Sequence, residues 1–270
     1  MTRTIAIANQ KGGTGKTTSA INIACGWARA IGPDRVLLVD LDPQANATAV
    51  ALDVGLAVGP RRPDVPTIKE VLLEETAVSD AIQVKPLAGV DGLAGFQADS
   101  NLHVLPSHLE LAVLESLLSN TFRGEYRLKK QMESVRRNYD VIIVDCPPSL
   151  GTLTLNALIF CQEVLIPVDP GLFPLIGLGL LLNTIETVRE ANPQLHITGV
   201  LPTLVSRTVV SRDTLTQLEN NFANLILPQI PQRTLINEAH TAGHDIFSFS
   251  PTSDSAEAYA AVVTALREKE

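Results

Sequence analysis

Near the start of the chain, Asn9-Gln10-Lys11-Gly12-Gly13-Thr14-Gly15-Lys16-Thr17-Thr18 has the residue types and spacing to hold a phosphate. Glycines let backbone N–H groups turn inward around oxygen atoms where a Cβ would intrude. A helix beginning at the end of the loop adds unpaired donors and a partial positive charge. Lys16 is placed to reach the β- and γ-phosphates of a nucleotide, and the Thr17 hydroxyl to bind Mg²⁺. The plainer alternative is a glycine-rich turn that caps an ordinary helix.

Carboxylates come from two further segments. Arg35-Val36-Leu37-Leu38-Val39-Asp40 is an apolar run ending in an acid, with Asp42 two residues on. Tyr139 to Asp145 repeats the pattern and runs into Pro147-Pro148-Ser149. An acid beside a phosphate loop holds a metal-bound water or positions an attacking one. Asp145 has the place of the Walker B acid, which holds Mg²⁺ through water. Asp40 and Asp42 have a second reading, as caps of the next helix.

These groups meet only if strands and helices bring them together. Thr4 to Ala8 reads as a strand before the loop, and Ser19 to Ile31 as a helix after it. Continuous apolar runs at 36–40, 101–105, 141–145, 163–168 and 196–201 read as buried parallel strands. Helical patterns alternate with them, so the fold expected is α/β, a mostly parallel twisted sheet with helices on both faces. Ligands sit at the carboxyl ends of such strands. The alternation continues to the end, which gives one domain over 1–270, with a suspected surface insertion near 86–98. Thr67 to Leu73 reads as a short helix with a capping box, Glu125 to Arg137 as a longer one, and Asp245 to Phe249 as a last strand. The 59–63 loop, with Arg61 and Arg62, reads as solvated. Leu172 to Leu182 is apolar but too short to span a bilayer.

Composition narrows the classes. Of 270 residues 45% are hydrophobic and only 4% aromatic, so the core is built from aliphatic side chains. Three unpaired cysteines, Cys25, Cys146 and Cys161, fit a reduced, cytoplasmic protein with neither disulfides nor a zinc site. A net charge of −8 opposes nucleic acid unless a local basic patch exists.

Lys11 is a second lysine that an ordinary phosphate loop does not need. The pattern K-G-G-x-G-K-T-T resembles that of the deviant Walker A ATPases, and nearly the whole chain resembles ParA/Soj partition ATPases. The segment Asp40 to Thr48 is similar to their first switch, and Pro147-Pro148-Ser149 to the opening of the second. The resemblance implies an ATP- and Mg²⁺-dependent ATPase of weak basal turnover. Two subunits would sandwich two ATP molecules, each Lys11 reaching the partner's nucleotide. It further implies that Asp42 orients the hydrolytic water, that Asp40 supports the Mg²⁺ shell, and that backbone near Pro202 and Thr203 contacts adenine. Gly12, Gly13, Thr14, Gly15 and Thr18 complete the nucleotide contacts. No N/T-K-x-D motif for guanine occurs.

The same resemblance implies non-specific binding to nucleoid DNA, with chromosome or plasmid as cargo, and release by a ParB-like activator. Arg207 matches the family's R-T-x-x-S arginine, and Arg212 lies close by. In Ile230-Pro231-Gln232-Arg233 the family arginine is replaced by Gln232, and a later basic position by Leu235; Arg233 is the candidate substitute. Alternatives are a positioning ATPase for a protein cargo and a MinD-like membrane switch. The second is disfavoured by a terminal helix poor in Lys and Arg. An iron–sulfur ATPase would need cysteine pairs that the chain lacks. No helix-turn-helix precedes Thr4, so the form expected is the one without that repressor domain.

Overall fold

The computed structural model describes residues 2–52, 57, 65–90, 93, 95–96, 99–171 and 174–269. The loop expected at 59–63, with Arg61 and Arg62, lies outside them, as do part of the 86–98 segment and the start of the Leu172–Leu182 stretch.

Among the described residues seven strands form one sheet in the order β3-β4-β2-β5-β1-β6-β7. They are β1 (Arg3–Ile7), β2 (Val36–Asp40), β3 (Gln83–Leu87), β4 (Ser100–Leu105), β5 (Val141–Asp145), β6 (Glu163–Val168) and β7 (His196–Pro202). All pair in parallel except β3, which runs antiparallel to β4 at the edge. The period of two divides each inner strand between two cores. Ala6, Leu37, Val39, Ile142 and Val144 face one layer of helices. Ile5, Ile7, Val36, Leu38, Val141 and Ile143 face the other.

The first layer contains α3 (Ile68–Leu72), α4 (Val78–Ala81), α5 (Leu111–Ser119), α6 (Arg127–Met132), α7 (Thr152–Phe160) and α8 (Pro174–Arg189). The second is built on α1 (Lys16–Ile31) and α2 (Asn46–Ala51), with α10 (Thr234–Thr241), α11 (Ile246–Phe249) and α12 (Asp254–Arg267) packed against them. Helix α9 (Val209–Phe222) follows β7. Thr67 caps α3 with the full capping box to Glu70.

The structure corrects three expectations. Residues 245–249 form a helix, not a strand. Asp245 caps it, accepting from the N–H groups of Phe247 and Ser248, and this cap outweighs the β propensity of Ile246, Phe247 and Phe249. The helix expected over 125–137 is shorter: α6 ends at Met132, with 3₁₀ turns at Gly124–Tyr126 and Arg136–Asn138. The strand after position 82 begins at Gln83, so Ser100–Leu105 is the fourth strand and not the third. Described residues of the 86–98 segment reach the core: Leu87 and Val90 are buried, and Phe96 lies 5.2 Å from the Phe247 ring.

Candidate functional site

The carboxyl ends of β1, β2, β5, β6 and β7 meet at one edge of the sheet, and the candidate groups gather there. The loop 9–15 is held from several sides. Asn9 donates through Nδ2 to the Pro167 carbonyl at 2.7 Å and accepts from the Lys11 N–H at 3.0 Å. Thr203 donates its hydroxyl to the Thr14 carbonyl at 2.8 Å. Gly13 and Gly15 both have φ of +74°, where an L side chain is strained; Gly12 does not use that region. Gly15 is the N-cap of α1 and supplies no side-chain acceptor. The first-turn N–H groups therefore lack a side-chain partner, as an anion site at a helix N-terminus requires. Helix α1 starts at Lys16, three residues earlier than the periodicity suggested, because loop and helix share these residues.

Lys16 is buried, and its ammonium donates to the Lys11 carbonyl at 3.0 Å. Burial lowers its pKa, opposed by the charges of Asp145 and Asp42. Lys11 points elsewhere. Its ammonium reaches Asp169 at 3.0 Å, at the end of β6, and the side chain is 42% exposed. Asp169 follows β6 directly, and its pairing across 158 residues leaves no local signal in the sequence.

Asp40 and Asp145 are register neighbours at the ends of β2 and β5, and both are fully buried. Their partners differ. Asp40 accepts from the Thr48 N–H at 2.8 Å and hydroxyl at 2.7 Å, and from the Asp42 N–H at 3.2 Å. It thus anchors the 42–48 segment, the plainer of its two readings. Neither oxygen of Asp145 has a hydrogen-bond partner of ordinary geometry. A buried carboxylate without partners is costly alone, and a divalent cation is what removes that cost. Thr17 is close enough to act on it. Among the described residues no three His, Cys, Asp or Glu side chains cluster as a metal cage. That suits Mg²⁺, which keeps its waters and takes one or two carboxylates plus phosphate. Thr17 and Asp145 fit that role directly, and Asp40 fits it only from behind.

Burial raises the pKa of Asp145, with the Asp40 charge adding to it. Burial also raises Asp40, to about 7, against the bonds from Thr48 and Asp42. Groups raised on folding add stability below their unfolded pKa and lose it as pH rises through the folded one. The ligand-free protein should therefore melt at lower temperature as pH rises from 6.5 to 8. Mg²⁺ with nucleotide should stabilise it more at pH 8 than at pH 6.5. Thermal melts across that range check this, and a flat ligand-free profile would contradict it.

Asp42 is buried beside Lys16, its Oδ1 accepting from the Gln44 N–H at 2.9 Å. Ala45 closes the turn at φ +52° and donates its N–H to the Asp42 carbonyl at 2.9 Å. Ser107, after β4, donates its hydroxyl to the same carbonyl at 2.8 Å and its N–H to Thr48 Oγ1 at 2.8 Å.

Pro202 and Thr203 are buried at the end of β7. Beyond them a cleft of about 520 Å³ opens, lined by Val205, Ser206, Gln229, Pro231 and Gln232 together with Arg207 and Arg233. It has room for a nucleobase. Arg207 and Arg212 are exposed before and in the first turn of α9. Arg233 is engaged: it pairs with Asp254 at the start of α12, through Nε at 2.9 Å and a terminal nitrogen at 2.6 Å. A larger cleft, about 880 Å³, lies at the opposite edge of the sheet. There Arg3 is paired with Glu163, and Lys269 donates to the Thr198 carbonyl.

A family model described as an AAA domain matches residues 2–197. The sporulation initiation inhibitor protein Soj of Bacillus subtilis is 38% identical over 263 residues, 96% of each chain. The chromosome partitioning protein ParA of Caulobacter vibrioides is 36% identical over 262 residues, 95% of this chain and 91% of that one. The solved structure of a Mycobacterium smegmatis protein, described as cobyrinic acid a,c-diamide synthase with an ATP analogue and magnesium bound, superposes with a TM-score of 0.77. It is 33% identical and the match covers 99% of this chain and 95% of that one.

Proposed function

The chain belongs to the Soj/ParA family of P-loop ATPases, and from that premise we propose that it is a partition switch driven by ATP. It binds ATP with Mg²⁺, pairs as a sandwich dimer, holds nucleoid DNA without sequence preference, and lets go when a ParB-like activator stimulates hydrolysis. The observation that carries this reading is the division of labour between two lysines. Lys16 occupies the phosphate loop, while the Lys11 side chain stands at its exposed rim, free of its own phosphate cradle. A second lysine so placed serves a nucleotide that arrives from outside the subunit.

Within one subunit the loop N–H groups and Lys16 would take the β- and γ-phosphates, and Thr17 and Asp145 would hold Mg²⁺, which neutralises charge on the phosphates when bound. Asp42 would orient the attacking water. The cleft beyond Thr203 would take adenine, contacted by backbone at 202–203. The terminal helix supports DNA over lipid as the carrier. Tyr259, Val262, Val263 and Leu266 of α12 are buried in the core, so that apolar face is not available to a membrane. No helix among the described residues is long and apolar enough to cross one.

Arg207 and Arg212 are the candidate phosphate contacts on DNA, since Arg233 is held by Asp254. Co-sedimentation with DNA tests the reading, with ATP, ADP and no nucleotide, over a salt series. ATP-dependent, salt-sensitive binding is expected. With Arg207→Ala and Arg212→Ala combined, four cations are lost per dimer, and the slope of log affinity on log salt should fall by about 2 to 4. Absence of binding in every nucleotide state, with ATP-dependent dimerisation intact, would sink the DNA reading and leave a protein cargo as carrier.

A further inference from the structure

Lys11 is a fixed residue with a movable side chain. Its N–H donates to Asn9 Oδ1 at 3.0 Å. Its carbonyl accepts from Lys16 Nζ at 3.0 Å and from the Thr14 hydroxyl at 3.3 Å. With both backbone groups held, only the flexible four-carbon stem is left to swing, and it carries the ammonium without disturbing the loop. In the single subunit that ammonium meets Asp169 Oδ2 at 3.0 Å, its one ionic partner among the described residues.

Asp169 is placed by the sheet. It follows the last residue of β6, Val168, whose carbonyl accepts from the Thr203 N–H at 2.9 Å. The phosphate loop is fastened to the same strand end by two other bonds, from the Ala8 N–H to the Leu165 carbonyl at 3.1 Å and from Asn9 Nδ2 to the Pro167 carbonyl at 2.7 Å. Neither segment needs the ion pair to keep its position. The pair is also open to water, with the Lys11 side chain 42% and the Asp169 side chain 29% exposed. A buried pair would lock the lysine in place. An exposed one shifts an equilibrium by a factor of only about 1.5 to 5, so it is readily exchanged for another anion.

We propose that Asp169 is a positioning residue for Lys11. Its carboxylate holds the ammonium at the rim of its own subunit, competes for it with the phosphates of a second subunit, and takes it back when they leave. A triphosphate offers more negative charge than one carboxylate and wins the lysine while it is bound. The bare Asp169 left behind then opposes the phosphate charge at the same edge. Both effects have one sign: they raise the threshold for pairing and speed the parting of the subunits. A dimer breaks two such ion pairs, so together they weaken it by a factor of about 2 to 30. The proposal rests on the ATP-dimer reading above and adds the residue that tunes it.

Sedimentation with Mg²⁺ and a non-hydrolysable ATP analogue tests it. Asp169→Asn should tighten the dimer about 2- to 30-fold, and the gain should shrink as salt rises from about 50 to about 500 mM. Asp169→Glu keeps the charge and should dimerise as the wild type does. Glu133→Gln removes the same charge from an exposed site ahead of β5, away from this edge, and should not tighten the dimer. Melting temperatures should agree among all four proteins. A zero-length carbodiimide cross-link between Lys11 and Asp169, identified by peptide mass spectrometry, should form in the monomer and fall at least fivefold in the analogue-bound dimer. An Asp169→Asn protein that dimerises no more tightly than the wild type, or a cross-link undiminished in a protein that does dimerise, overturns the proposal. A wild-type protein that stays monomeric with the analogue overturns the dimer reading itself, and this inference with it.

Discussion

Asp42→Ala is expected to bind ATP within a few-fold of the wild-type affinity and to hydrolyse it about 10² to 10³ times more slowly. The difference lies in what the side chain does and what the backbone does. The Asp42 carbonyl holds the turn through Ser107 and the Ala45 N–H, and alanine keeps that carbonyl. Among the described residues the carboxylate takes one hydrogen bond, on Oδ1 from the Gln44 N–H, and its second oxygen stays open beside Lys16. Such an oxygen accepts from a water and aligns it, which counts only in the transition state. Asp42→Asn keeps the acceptor and the turn bond and loses the charge, so its rate should fall between the other two. Phosphate release and nucleotide affinity, measured on all three proteins with melting curves as a control of folding, decide the matter. A hydrolysis rate for Asp42→Ala within twofold of wild type would remove Asp42 from the chemistry.

How much of this was legible in the residues depended on whether the signal was local. The phosphate loop is local: its glycines and lysines sit at fixed offsets, and only a strand–loop–helix context satisfies them. The β5 strand with Asp145 was legible because a strand buried on both faces must be continuously apolar. The edge strand β3 was not, because Gln83-Val84-Lys85-Pro86 is half exposed and has no continuous apolar run. Residues 245–249 suggest a strand because Ile-Phe-x-Phe suits one; the Asp245 cap that makes them a helix is local, but the Arg29 pairing that holds its carboxylate spans 216 residues. The same holds within the site. Thr48 bonding Asp40, Asp169 bonding Lys11 and Asp254 bonding Arg233 each required the fold before they could be seen. Residue type and spacing placed the groups at the nucleotide edge, and the assembled chain decided which of them are already occupied.

Arg29→Met should lower stability by about 3 to 5 kcal/mol at pH 7, about 6 to 20 °C in melting temperature for a domain of this size. Arg29 is wholly buried in the last turn of the helix that begins in the phosphate loop. Its guanidinium donates to both oxygens of Asp245, to Ser248 Oγ, and to the carbonyls of Cys25 and Ala88. Burial would raise the Asp245 pKa, but the Arg29 charge and the Ser248 bonds reverse this and hold it below 3.8. In the wild type Asp245 therefore adds stability above its unfolded pKa and loses it as pH falls through the folded one. His240, pushed down to about 4 by burial, acts in the same direction between about pH 6.5 and 4. Without Arg29 the sign for Asp245 inverts. The carboxylate stays buried, its pKa rises, and the variant loses stability as pH increases through that raised value. The gap between variant and wild type should then widen from pH 4.5 to pH 7.5. Asp245→Asn leaves instead a buried guanidinium that cannot shed its proton in this range, so its deficit should be large and flat with pH. Urea or thermal unfolding of the three proteins across this range separates the cases. A deficit for Arg29→Met that does not change with pH would mean that the loss is packing around α1, not charge. Because ATP binds only the folded loop, nucleotide at 100 times its dissociation constant should return about 2.7 kcal/mol to either variant, provided that α1 keeps its place.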